Sequence, residues 1–178
     1  GELSLSLPEL CGVAEAGENA AALEEFFVER LRYYLREVRG YRHDEVQAVL
    51  SASSEHPLEV AARAEAIAKV RPTENFEPLA AGFKRISNIL RQAGGADQFA
   101  ARDVDETLLE EGVEKVLFGE FEKLSPSVAA LKDEGRYEEA LARIASLRPV
   151  VDKFFDDVMV MADDERVRDN RLAFLARL

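Results

Sequence analysis

Apolar residues return at helical spacing from Ala21 to Leu178, and glycine and proline cut the pattern into helix-sized pieces. Phe27, Leu31, Tyr34 and Val38 fall at i, i+4, i+7 and i+11, which predicts a buried stripe on a helix stopped by Gly40. A short helix follows from about His43 to Ser51, then an alanine-rich one from His56-Pro57 to about Val70, where Arg71-Pro72 breaks it. A fourth runs from about Asn75 to Gln92 and ends at Gly94-Gly95, leaving 93–102 as a loop. Asp103, with Glu106 three residues on, has capping-box character and predicts a long helix from about Val104. Ser125-Pro126 should interrupt or kink it, and Gly135 should end it. Further helices are expected at about Tyr137–Ser146, Pro149–Val160 and Asp164–Leu178. No period-two alternation of useful length and no internal repeat compete with this pattern. The expected fold is all-α, an antiparallel helical bundle of about seven helices over residues 21–178. Residues 1–20, small and polar with Pro8, Gly12 and Gly17, are expected to be a linker or the remnant of a preceding domain.

Composition removes several function classes. An apolar fraction of 47% in 178 residues suffices for a core. Every uninterrupted apolar run is far shorter than the roughly 20 residues that span a bilayer, so no membrane partner is expected. The opening Gly1-Glu2 lacks the basic stretch of a secretory leader. Cys11 is alone, which excludes an internal disulfide and suits a reducing compartment; it reads as a small apolar residue. His43 and His56 have no partner at metal-ligand spacing, so no metal site is expected. There is no Gly-rich phosphate loop and no nucleophile–base set, so no residue is assigned a catalytic role. The net charge of −12 opposes nonspecific binding to a polyanion. Screening beyond roughly 8 Å nevertheless lets a local basic face act by itself, so the placement of the arginines matters more than the total.

Three constellations carry such placement. Between Arg30 and Arg42, five arginines interleave with three tyrosines. Arg32, Arg36 and Arg39 share one side at i, i+4 and i+7, suited to phosphates, with Tyr33 or Tyr41 as a stacking surface. The plain alternative is a solvated face paired with Glu25, Glu29 or Glu37. On the fourth helix Phe76, Leu79, Phe83, Ile86 and Leu90 form the buried stripe, and Lys84, Asn88 and Arg91 run beside it. An amide that both donates and accepts, flanked by cations, suits an unstacked base; locally bonded Asn88 with two surface charges is the plain reading. On the last helix Arg171 falls in the apolar arc of Val167, Phe174, Leu175 and Leu178 and needs a buried partner, for which Asp156 or Asp157 are candidates. Arg166, Asn170 and Arg177 are expected together on an exposed side, while Phe154, Phe155, Val158, Met159 and Met161 read as core.

Five stretches in order carry a resemblance: Phe26-Phe27-Val-Glu-Arg-Leu31, Lys84-Arg85-x-x-Asn88-Ile89, Tyr137-Glu-Glu-Ala-Leu141, Leu147-Arg-Pro-Val-Val-Asp152, and the whole of Phe154–Leu178. Together they resemble the beta subunit of bacterial glycine–tRNA ligase, whose C-terminal end is a helical, DALR-like anticodon-binding domain. The resemblance implies a bacterial cytoplasmic, heterotetrameric ligase that attaches glycine to its tRNA with ATP and magnesium. It places adenylate chemistry in the separate alpha subunit, so this domain would need no cofactor and would not be catalytic by itself. Its partners would be the anticodon region of glycine tRNA, the rest of the beta subunit and the alpha subunit. The tRNA-contacting candidates are then Arg32, Arg36, Arg39, Lys84, Arg85, Asn88, Arg91, Arg166 and Asn170. The alternative is an acidic helical protein–protein or scaffold module without RNA contact.

Overall fold

The computed structural model describes residues 6–13, 17–74 and 76–178, and among them all regular structure is helical. The α-helices are α1 (Leu7–Val13), α2 (Ala20–Tyr33), α3 (His43–Ala52), α4 (Pro57–Val70), α5 (Phe76–Gln92), α6 (Asp97–Ala100), α7 (Val113–Asp133), α8 (Tyr137–Ala145), α9 (Arg148–Asp157) and α10 (Glu165–Arg177). The all-α class is as the periodicity predicts, with ten α-helices among the described residues where about seven are expected. Asn75, the expected start of the fourth helix, lies outside the described residues, as do 1–5 and 14–16 of the expected linker. The described part of that linker holds α1, whose Leu7 and Cys11 are buried.

Backbone contacts divide the chain into two units: Gly1–Pro72 with Glu134–Leu141, and Thr73–Asp133 with Ala142–Leu178. The first is built on Leu35, Val46, Val49, Leu50, Val60 and Ala64, with Val28, Leu31 and Tyr41 packed against them. The inward stripe of α2 and the turn that follows it is therefore Val28–Leu31–Leu35 rather than Phe27–Leu31–Tyr34–Val38. Phe27 and Val28 are both apolar, so spacing alone leaves the phase open by one position. A π-helical turn at Tyr34–Val38 then widens the helix and carries the later residues out of phase, leaving Val38 63% exposed. The end of α4 returns to the start of α3, where Arg71 bonds Asp44 at 2.8 Å and the buried Glu45 at 3.2 Å.

The second unit packs around Phe174 of α10, met edge-on by Phe118 at 5.4 Å, Phe121 at 6.0 Å and Phe154 at 6.4 Å. Ile86 and Leu90 of α5, Leu117 of α7, and Val151 and Phe155 of α9 complete its core. Gly94 and Gly95, at φ +111° and +108°, close α5, their N–H groups reaching the carbonyls of Arg91 and Leu90. The expected 93–102 loop contains α6, whose Phe99 is buried. The long helix starts at Val113, not Val104, because Asp105 caps a short 3-10 turn, Glu106–Leu108, through the N–H of Thr107. Pro126 lies inside α7 without ending it. Ser125 and Pro126 are exposed, so the missing hydrogen bond falls on the solvent side. Met159 (75% exposed) and Met161 lie on the surface, and Val158 is half-buried, against the expectation that all three are core. α9 ends at Asp157, which puts all three in the connection to α10.

Candidate nucleic-acid interface

Arg171 and Asn170, neighbours on α10, both tie the last helix to the stretch that leads into α7. Arg171 is 3% exposed and its guanidinium straddles the carboxylate of Glu114, itself 1% exposed, with Nε and Nη2 each at 3.0 Å. Nη2 also lies 2.9 Å from Glu110, and Nη1 donates to the carbonyl of Met159 at 3.0 Å. The buried partner is thus Glu114, not Asp156 or Asp157, both of which are exposed. Asn170 was expected beside Arg166 and Arg177 on an exposed side. It is instead 6% exposed, accepting from the N–H of Asp105 at 2.7 Å and donating to that residue's carbonyl at 3.0 Å. Its amide is committed to holding the segment before α7. Arg166 is exposed in the first turn of α10, which Asp164 caps. The Asp105 carboxyl is held below its usual range mainly by the Thr107 hydroxyl, then by the Thr107 N–H, with a smaller contribution from the Arg166 charge.

The other candidates in this unit lie on α5, where Leu79, Ile86 and Leu90 face the core. Lys84, Asn88 and Arg91 run along the opposite side. Arg91 donates to Asn88 Oδ1 at 2.8 Å, which engages one lone pair of the amide oxygen and leaves the amide its N–H donors. Lys84, Arg85 and Arg91 are exposed and have no carboxylate partner among the described residues. Arg85 turns toward α9, with its guanidinium carbon 4.4 Å from the ring centroid of Phe155 and Nη2 3.5 Å from that residue's carbonyl. α5 and α9 approach closely here; a methyl group on Gly82 would touch Val151 at 3.4 Å. Pro78, Ala81, Gly82, Arg85, Asp152, Phe155 and Asp156 line a groove of about 440 Å³ beside this contact. Sequence reasoning missed it. Phe155 reads as core and Asp156 as an arginine partner, and nothing local signals that Arg85 meets a residue 70 positions away.

The arginine row of the first unit is occupied differently. Arg32 bonds Glu29 at 3.1 Å and Gln47 at 2.8 Å, and Arg36 lies 3.8 Å from Glu37. Arg39 bonds Glu65 at 3.3 Å and the Tyr41 hydroxyl at 2.9 Å, and lies over the Tyr41 ring at 5.4 Å. These are the acid-paired arrangements of a solvated face, although Glu65 comes from α4 rather than from α2. Tyr33 stays exposed.

Residues 79–178 match the DALR anticodon binding domain family. Across 98% of its length the chain is 47% identical to a glycine–tRNA ligase beta subunit from Acidobacterium capsulatum. It is 41% identical to the corresponding protein of Shewanella halifaxensis over 99% of the chain, and 40% to that of Ralstonia nicotianae over 94%. It spans only 26%, 25% and 23% of those relatives respectively, about a quarter of their length.

Proposed function

The chain belongs to the DALR anticodon binding domain family, and on that premise we propose that it binds the anticodon region of glycine tRNA as part of a glycine–tRNA ligase beta subunit. The observation that carries this reading is the row on α5: three cations without acidic partners among the described residues, in a chain of net charge −12. Elsewhere most arginines are spent on carboxylates, so the charge left uncompensated on α5 is available to phosphates. Lys84, Arg91 and, on the same unit, Arg166 serve as phosphate contacts, Asn88 as a donor steadied by Arg91, and Arg85 as the cation turned onto Phe155. Arg32, Arg36 and Arg39 are secondary contacts, since each must first give up an acidic partner. Asn170 acts on the fold rather than on RNA.

Attachment of glycine would then belong to the whole ligase, assembled from the rest of the beta subunit and the alpha subunit in the bacterial cytoplasm. Among the described residues no three Asp, Glu, His or Cys side chains gather to hold a metal ion. We assign ATP and magnesium to other parts of that enzyme. No described helix is long and apolar enough to cross a membrane. The scaffold alternative keeps one supporting observation, confined to the first unit: Phe26, Tyr33, Tyr34 and Val38 are exposed around α2. We propose that this face meets protein within the ligase.

The test is a salt series of binding titrations with an anticodon-arm hairpin of glycine tRNA. Three phosphate contacts predict a log–log salt slope of roughly −2 to −3. Lys84→Ala and Arg91→Ala should each flatten it by close to one unit and weaken cognate and altered anticodons alike. An unchanged slope in both variants, or no binding by the wild type at low salt, would remove this reading.

A further inference from the structure

We propose that the groove between α5 and α9 receives one unstacked base that carries an exocyclic amino group. The proposal rests on the reading that α5 meets RNA, and adds which part of the RNA enters the second unit and how it is told apart. The guanidinium of Arg85 lies flat enough on Phe155 for a 4.4 Å carbon-to-centroid distance, and the residue is exposed. Its outer plane is a stacking surface of the kind single-stranded RNA uses, already held in place by the ring beneath it. Beside it Ala81 and Gly82 contribute almost no side chain, which gives a flat base room to slide in. The volume of about 440 Å³ falls within the roughly 300–1,000 Å³ of small-ligand sites.

The rim selects the guest. Asp152 and Asp156 line the same groove as Arg85, so a phosphate inside it would meet two carboxylates and is the wrong occupant. Asp152 is partly satisfied by Arg148 at 3.4 Å. Asp156 is exposed and has no ion-pair partner among the described residues. A carboxylate offers acceptors only. It can accept from the amino group of cytosine, adenine or guanine, and it repels the carbonyl oxygen that uracil presents at the matching position. Arg85 thus supplies the platform for any base, and Asp156 the discrimination.

The experiment titrates the chain with anticodon-arm hairpins of glycine tRNA carrying each of the four bases in turn at each anticodon position. At one position the wild type should prefer amino-bearing bases over uracil by roughly ten-fold. Asp156→Asn adds donors at the rim and should bring that preference close to unity while leaving the salt slope unchanged. Arg85→Lys keeps the charge and loses the plane, so affinity should drop by about ten-fold for every hairpin, again with the slope retained. Both positions are exposed, and melting temperatures should stay at the wild-type value. If both variants bind and discriminate as the wild type does while binding remains salt-dependent, the pocket is wrong and the phosphate row stands. If the wild type binds no hairpin in low salt, both readings fall together.

Discussion

At Arg171 a single side chain reaches three segments of one unit: Glu114 in α7, Glu110 ahead of that helix, and the backbone of Met159. Every oxygen of Glu114 is used, since Oε2 also accepts from the N–H of Glu110 at 3.0 Å. A pair so enclosed is costly to break from one side, because the survivor is a buried charge with no partner. Arg171→Ala should therefore cost about 3–5 kcal/mol. Arg177→Ala should cost roughly 0–1 kcal/mol, as expected of an exposed pair; Arg177 lies 4.0 Å from Glu122, and both are solvated. Replacing both partners with apolar residues of similar volume, Arg171→Met with Glu114→Leu, should recover most of the loss. Urea unfolding of the four proteins measures this, and equal midpoints for the two alanine variants would mean that the network adds nothing. The sequence marks Arg171 as needing a partner, because its arc on α10 is apolar. It does not reveal which carboxylate, since Glu114 lies 57 positions away and only the packed helices bring it near.

Among the elements, the corner where α4 returns to α3 makes a pH-dependent prediction. The Arg71 guanidinium, bonded at 2.8 Å, holds the Asp44 carboxyl down to about 2 from an ordinary 3.8. A depressed carboxyl stabilises the fold fully above its unfolded pKa, and that contribution is lost as pH falls through the folded one. The stability difference between wild type and Asp44→Asn should thus be constant from neutral pH to about 4 and shrink as pH falls to about 2. A difference that persists unchanged through that window would show that the two groups are not coupled. The boundaries of these elements were legible where a breaker is unambiguous, as at Gly94-Gly95, whose positive φ the α5 cap requires. They were not legible where tertiary packing decides: the π-helical turn after α2, the burial of Phe99 that makes α6, and the passage of α7 through Pro126 on its solvent side. The cations of α5 could be read from spacing, but their freedom from acidic partners is a property of the packed unit.

For the whole molecule the charge of −12 has two consequences of opposite sign. Added salt screens self-repulsion and should raise the melting temperature of the chain between roughly 50 and 200 mM. Over the same range it should weaken RNA binding, because counterions compete for the phosphates. Thermal melts and titrations on one sample series test the pairing, and parallel trends would indicate that attraction between unlike charges dominates the fold. The position of α10 in the chain has a separate consequence. Asn170 to Leu175 are six consecutive buried residues, and what they grip, Asp105, Glu114 and Met159, all precedes them. During translation the faces of α5, α7 and α9 that line this core therefore leave the ribosome before the helix that closes it, and wait uncovered until the last of those six residues is free. In that interval the nascent chain is a natural client for a chaperone that holds exposed apolar surface.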